Sequence, residues 1–408
     1  MPKNRGQLRV YLDHSATTPI DDRVVDAMLP YLRVKFGNAS SIHQFGQDAR
    51  AAVDRARRQV GALINARPNE IVFTSGGTEA NNLALRGISE AGQKHGRHII
   101  TSTIEHPSVR GVIDHLEKQG WSVTRLPVYE NGIIQLDDIR AALREDTILI
   151  SVMMANNEIG TIQPVAEIGA LVQSERERGR KHLWFHTDAV QAAGRLPIDV
   201  EAIGCDLLSL SAHKIYAPKG AGALYARRGV RLFPQQIGGH QERERRAGTE
   251  SVANLVAFGV AAELARSEMI QRHEHTKALR DRFEQLVQER IGDILFNGDR
   301  EERLQHVSNI SFRFVEGEGL LIHLDMQGVA VSTGSACSSG TLEPSPVIKA
   351  LGRNEELARG AIRFSFGKDN TEEDVHYAVD AMVRAVRSLR AISPLAAEVR
   401  SSEFGVRS

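Results

Sequence analysis

Lys214 closes an unusually apolar run, DLLSLSAHK. A lysine at the carboxyl end of a buried strand lies where α/β folds bind ligands. Desolvation there lowers the pKa of the amine and lets it form a Schiff base with a carbonyl compound. The plainer alternative is a surface lysine just past a strand. Asp188 holds a similar place in FHTDAVQAAG. A carboxylate at the end of an apolar strand needs a cation, and a protonated pyridine nitrogen would serve; a helix-capping aspartate also fits. Cys337 sits in VSTGSACSSGTLEPSP, among serine, glycine, threonine and alanine, with Pro344 and Pro346 closing the stretch. That composition predicts an exposed, flexible loop. An exposed thiol is a liability unless its reactivity is used, the alternative being a chance surface cysteine. Arg363 interrupts the apolar run AIRFSFG. A guanidinium there suits bidentate capture of a carboxylate, or pairing with an acid of the protein itself.

Other segments add to these four. In EIVFTSGGTEANN a strand ends at Thr74, a Ser-Gly-Gly turn follows and a helix begins. Backbone N–H groups at such a helix start attract anions, phosphate above all. A plain helix capped by Thr78 is the competing reading. TIEHPSV puts His106 just after a strand, where it could stack on a planar ring or move protons. GGHQERERRAGTES is a charged, glycine-bounded loop of the kind that is usually solvated, although Thr249 could offer its N–H and hydroxyl to a phosphate. His182 and His186 have the i,i+4 spacing of metal ligands on a helix, but they fall in a strand run and read as structural. Cys205, in IGCDLLSL, reads as a buried core residue.

The elements that must position these residues follow from periodicity. Ala49, Val53, Ala56, Val60 and Leu63 recur at helical spacing. Beyond them strands and helices alternate. Strands are expected at 70–74, 98–103, 121–128, 147–155, 182–189 and 206–212, and helices at 79–92, 108–120, 137–144 and 164–179. Such alternation predicts right-handed crossovers and a mostly parallel sheet covered on both faces. A long helical stretch follows at 251–290. Then come strand 309–315, helix 318–327, a short strand 329–332, strand 361–367 and a helix from 372 to about 390. The fold class is therefore α/β, with a large domain at 20–258. A smaller α+β domain takes 1–19 with 259–392, and the tail 393–408 is expected to be frayed.

Composition narrows the possibilities. The 408 residues carry 51 Lys+Arg against 51 Asp+Glu, which argues against binding nucleic acid through a basic surface. The hydrophobic fraction of 41% supports a sizeable core. Two cysteines exclude a disulfide framework or a polythiolate zinc site, and no metal is expected. The longest apolar run is too short for a membrane span and no signal peptide is apparent, so the expected compartment is the cytoplasm.

Taken jointly and in order, these segments resemble the pyridoxal-phosphate cysteine desulfurases of the NifS/IscS type, within the class V aminotransferase superfamily. The matching stretches include YLDHSATTP (11–19), FGNASSIHQFGQ (36–47), FTSGGTEANN (73–82), NNEIGTIQP (156–164), SAHKIYAPKGAGALY (211–225), RRAGTES (245–251) and GSACSSG (334–340). The resemblance implies a pyridoxal-phosphate-dependent transferase fold, like that of aspartate aminotransferase. It implies that Lys214 binds the cofactor covalently, that Asp188 pairs with its ring nitrogen and that Gln191 reaches its phenolic oxygen. His106 would stack on the ring and act as an acid or base. Gly77, Thr78, Ser211 and His213 would cradle the phosphate, with Thr249 arriving from the second subunit of a homodimer. Asn157 would lie near the phenolic oxygen and the substrate carboxylate, which Arg363 clamps. Cys337 would take sulfur from L-cysteine as a persulfide, release L-alanine, and pass the sulfur to an iron–sulfur scaffold or another acceptor protein. A selenocysteine lyase or an aminotransferase of the same superfamily is the nearest alternative. The chain departs from the family in a longer, Arg-rich link, SERERGRKH (174–182), at a helix end.

Overall fold

The structure, a computed structural model, describes residues 9–333 and 343–394. Cys337 and the rest of segment 334–342 lie outside the described residues, as does the tail beyond 394. Among the described residues the strands, numbered along the chain, are β1 (Val10–Tyr11), β2 (Ile71–Thr74), β3 (His98–Ser102), β4 (Ser122–Leu126), β5 (Thr147–Ser151), β6 (Trp184–Asp188), β7 (Leu207–Ser211), β8 (Gly222–Ala226), β9 (Ile294–Phe296), β10 (Val307–Phe312), β11 (Val329–Ala330) and β12 (Ala361–Ser365).

Seven of them form one sheet in the order β2-β8-β7-β6-β5-β3-β4. The run from β7 to β4 is parallel, as the alternation of strands and helices predicts. Every residue of β3, β5, β7 and β8 is buried. That is the requirement of a sheet covered by helices on both faces, and it explains why these strands read as unbroken apolar runs. β8 is the exception in direction, lying antiparallel to both β7 and β2. A parallel neighbour needs a crossover connection of a dozen residues or more. Only a short turn, with no covering helix, joins β7 to β8, so the chain must fold straight back. That turn carries His213 and Lys214.

The covering helices bury the stripes their spacing foretells. Gln44–Leu63 turns Ala49, Ala52, Val53, Ala56 and Val60 inward, and Gly77–Gly92 turns in Ala80, Leu83, Ala84 and Ile88. The helical stretch expected over 251–290 is formed by two helices, Val252–Ser267 and Met269–Arg290, parting at Glu268. Ala261, Ala262 and Ala265 of the first pack into the large core.

A second core forms around the antiparallel sheet β12-β10-β9 and the helices Met269–Arg290, Gly317–Met326 and Glu372–Ile392. Phe283, Phe364 and Phe366 meet at its centre, with ring centroids 4.7 and 5.5 Å from Phe283. The beginning of the chain belongs here: β1 pairs in parallel with β11, and Val10 and Leu12 are buried in this core. The next residues, 13–18, then run back to the large sheet.

Candidate active site

The sheet brings the sequence-flagged residues to one edge. Asp188 ends β6, Lys214 follows β7 by three residues, His106 follows β3 by four and Gly77 follows β2 by three. β2 runs in the same sense as the parallel strands, because two antiparallel pairings through β8 restore direction. All four residues thus sit beyond carboxyl ends, where open α/β sheets bind ligands.

Lys214 is half-buried, and its Nζ donates to the carbonyls of Ser15 at 2.5 Å and Ala16 at 2.7 Å. The same N-terminal strip reaches other site residues. Gln191 Nε2 donates to Ser15 O at 3.0 Å, His213 Nδ1 lies 3.1 Å from Thr17 Oγ1, and Thr18 Oγ1 donates to His213 O at 3.0 Å. Sequence reasoning assigned no task to residues 13–18. The available signal was a cluster of short polar side chains closed by proline, HSATTP, directly after an apolar strand.

Asp188 is 5% exposed. Its Oδ1 accepts from Val190 N at 2.9 Å and its Oδ2 from Asn81 Nδ2 at 2.7 Å. Asn81, fully buried on the helix Gly77–Gly92, was not singled out by the sequence reading. It also contacts Ser108 Oγ at 2.9 Å. Ser108 Oγ lies 2.7 Å from His106 Nδ1, and His106 caps the helix Pro107–Lys118 by accepting from Ser108 N. Burial holds the His106 imidazole below its ordinary pKa; Asp188 pulls it up, while Lys214, Arg110 and Arg363 push it down.

The phosphate-binding expectation can be checked at the start of Gly77–Gly92. Thr78 is not the cap: Gly76 is, and no side-chain cap hydrogen bond is made there. A Cβ on Gly77 would come 2.8 Å from Val190 Cγ2 and 3.4 Å from Ser211 Cβ. Glycine thus lets an uncapped sixteen-residue helix start lie beside Ser211, which is 3% exposed. Uncapped N–H groups next to a serine hydroxyl suit an anion such as phosphate. His213 is held to about 4 by burial and by Lys214, Lys219 and Arg195, so it is a neutral partner there. Thr249 is exposed, and among the described residues no hydrogen bond joins it to this cluster.

Arg363 pairs with an acid of the protein itself, one of the two roles its setting in the sequence suggests. Its Nη2 pairs with Asp13 Oδ1 at 2.6 Å and its Nη1 donates to the carbonyl of Asn157 at 2.9 Å. Its Nε is buried and, among the described residues, has no hydrogen-bond partner, so this N–H is open to a ligand carboxylate. The stems of segment 334–342 meet at this corner. Ser332 pairs through its backbone with Arg363, and Ser345 Oγ donates to the buried Glu158 at 2.6 Å.

Glu105, next to His106, is 3% exposed. One of its oxygens accepts from Ser102 Oγ and Met153 N, while the other has no partner among the described residues. Burial pushes its carboxyl up to about 8, and the charge of Asp188 acts the same way. Below the ordinary value of 4.5 the group is protonated whether or not the chain is folded. Between that value and about 8 the unfolded chain ionises and the folded chain does not, so stability falls as pH rises. Glu105→Gln removes this loss. Its advantage over the parent in thermal unfolding is expected to grow from pH 5 to pH 8, by on the order of a few kcal/mol. An advantage independent of pH would contradict this.

The remaining flagged residues are structural. His186 is buried between Ser151 Oγ and Ser209 Oγ, at 2.9 and 3.1 Å. His182 lies just outside β6, stacked on His95. Among the described residues no group of three metal-ligating side chains occurs, and no helix is long and apolar enough to cross a membrane. Cys205 is fully buried, and burial drives its thiol pKa far up. The loop GGHQERERRAG departs from its solvated reading: Glu242 is buried and holds Arg57 through two hydrogen bonds of 2.5 and 2.6 Å. Glu242, Arg243 and Glu244 take left-handed φ of 49°, 57° and 65°, a strain that the buried pair helps to hold.

The chain is similar to proteins already known. The chain is 50% identical over 385 residues to the cysteine desulfurase IscS of Dictyoglomus turgidum, covering 94% of this chain and 96% of that protein. It is 48% identical over 387 residues to the cysteine desulfurase IscS of Methanosarcina thermophila, covering 95% and 94%. Among solved structures, a NifS-like protein superposes with a TM-score of 0.87 at 35% identity, covering 93% of this chain and all of that one. SspA in complex with cysteine gives a TM-score of 0.77 at 33% identity, covering 89% and 100%. The family model for class V aminotransferases matches residues 10–377, and the chain belongs to that family.

Proposed function

We propose that this chain is a pyridoxal 5'-phosphate-dependent cysteine desulfurase, converting L-cysteine to L-alanine and a persulfide on Cys337. The observation that carries the reading is the convergence of Lys214, Asp188 and an uncapped helix start on one sheet edge, in a chain half identical to proteins named cysteine desulfurase. The residues present fit the cofactor: an amine for its aldehyde, a buried carboxylate for its ring nitrogen, and N–H groups with Ser211 for its phosphate. When bound, the pyridine ring supplies an electron sink for charge developing at the substrate Cα.

The chain's own residues do the rest. Lys214 Nζ holds the cofactor and, once displaced by substrate, moves the Cα proton. Asp188 keeps a proton on the ring nitrogen, and Asn81 holds Asp188 in place. Gln191, fixed by Ser15 O, and Asn157 would serve the cofactor's phenolic oxygen. Gly77, Thr78, Ser211 and His213 bind the phosphate. The unpaired Nε of Arg363 takes the substrate carboxylate. The Cys337 thiolate attacks the substrate sulfur. An S–S bond forms, the substrate C–S bond breaks, and its electron pair passes to the organic fragment, which leaves as alanine after protonation. Cys337 follows Ser332 by five residues, so its Cα stays within about 17 Å of that stem at ~3.4 Å per residue. Ser332 is itself paired to Arg363, so the stem of the segment that carries Cys337 starts at the clamp.

The reading includes a homodimer. Phe36, Ile42 and Phe45 are 74%, 91% and 58% exposed, and Phe36 stacks on Phe45 at 5.7 Å. A face of that kind seeks a partner. Thr249, exposed and unengaged by its own cluster, is then free to complete the second copy's phosphate site. The persulfide is handed to an iron–sulfur scaffold or another acceptor protein.

The test is direct. Protein reconstituted with pyridoxal 5'-phosphate and given L-cysteine and a reductant should release alanine and sulfide in equal amounts. Turnover of selenocysteine alone, or formation of a keto acid in place of alanine, would replace this reading with the lyase or the aminotransferase.

A further inference from the structure

A row of four polar groups runs from β6 to the helix Pro107–Lys118. Asp188 Oδ2 lies 2.7 Å from Asn81 Nδ2, Asn81 Nδ2 lies 2.9 Å from Ser108 Oγ, and Ser108 Oγ lies 2.7 Å from His106 Nδ1. Each proton in the row follows from the group before it. An ionised carboxylate only accepts, so the Asn81 amide must turn its NH2 toward Asp188. The opposite setting would put the Asn81 carbonyl oxygen against the carboxylate. The second N–H of the same NH2 group points at Ser108 Oγ, which accepts it. The single proton of Ser108 is left for His106 Nδ1. The Ser108 backbone N–H, 3.2 Å from that same Nδ1, is a second donor to it. A nitrogen facing two donors presents its lone pair, and in neutral imidazole the other nitrogen then carries the hydrogen.

We infer that Asn81 and Ser108 are positioning residues that fix His106 as the neutral Nε2–H tautomer, so that His106 serves bound cofactor and substrate as a hydrogen-bond donor and not as a base. Nε2 has no free lone pair in this form, and the lone pair of Nδ1 is sealed by Ser108. Removal of the substrate Cα proton is then left to Lys214. The inference deepens the proposed function and rests on its placing of His106 over the cofactor ring.

The charged surroundings agree. Lys214 beyond β7, Arg363 on β12 and Arg110 on the histidine's own helix all disfavour an imidazolium, while Asp188 on β6 favours one; burial, the largest influence, opposes it.

The test uses the holoenzyme labelled with 15N-histidine, with the His106 signal assigned by its absence in His106→Gln. Long-range 1H–15N correlation distinguishes the two tautomers. The expected pattern is Nε2–H, persisting from pH 6 to 9. Ser108→Ala keeps the backbone donor but loses the hydroxyl. Protonation of His106 should become about 3- to 10-fold easier, the yield of one net hydrogen bond, and the acidic limb of the kcat profile should move up by as much as about one pH unit. Ser108→Thr retains the hydroxyl and should restore both. A residue that merely filled space would alter cofactor loading or Tm and leave tautomer and limb in place. The inference is overturned by an Nδ1–H pattern in the parent enzyme, or by a Ser108→Ala variant that matches it in both tautomer and limb. Failure of the underlying reading looks different: the protein stays colourless with pyridoxal 5'-phosphate, while the tautomer can still be read.

Discussion

Lys214→Ala is expected to leave a folded protein that binds no cofactor covalently and turns over no cysteine. Two separate functions fall on this one amine. It anchors the aldehyde, and after displacement it is the base at the substrate Cα. Loss of a positioned base alone costs roughly a hundred- to ten-thousandfold, and loss of the anchor adds to that, so activity should fall at least about a thousandfold. The fold should survive. Lys214 lies in a turn after β7, and the carbonyls of Ser15 and Ala16, to which it donates, can be satisfied by water once the amine is gone. Borohydride reduction followed by peptide mapping checks the result. A reducible link that persists at another lysine would show that the anchor had been assigned wrongly.

Cys337→Ala is expected to separate cofactor binding from sulfur transfer. The variant should keep the colour of the bound cofactor and its response to L-cysteine, because Lys214, Asp188 and the helix start are untouched. It should release neither alanine nor sulfide, since no other thiol can replace the lost one. The remaining cysteine, Cys205, is fully buried in the large core, with its ionisation suppressed by that burial. A thiolate is the required nucleophile, and Cys205 has neither the charge nor the access. Undiminished alanine production by Cys337→Ala would remove this residue from the mechanism.

Much of this was legible because chemistry and hydrophobicity coincide along the chain. Lys214 and Asp188 stand out because Lys214 comes shortly after the wholly buried β7, and Asp188 closes β6, which is buried from Phe185 on. Other features were hidden for identifiable reasons. β8 escaped the strand-and-helix alternation because it returns through a short turn with no helix to mark it. The pairing of Arg363 with Asp13 spans 350 residues, and no local pattern announces such a partner. Glu242 sits in a run of charges typical of solvated loops, yet it is buried with a partner on the helix Gln44–Leu63, 185 residues earlier in the chain. Asn81 and Ser108 are ordinary helix residues in the sequence. Only the approach of Pro107–Lys118 to Gly77–Gly92 and β6 gives them a task.

The most direct measurement follows the sulfur itself. Protein loaded with pyridoxal 5'-phosphate is given one equivalent of 35S-labelled L-cysteine without reductant, then digested and mapped by mass spectrometry. The label should appear as one added sulfur on the peptide that contains Cys337, with one alanine formed per label bound, and a thiol reductant should release it. Label found elsewhere, or alanine formed while the Cys337 peptide stays unmodified, would contradict the account.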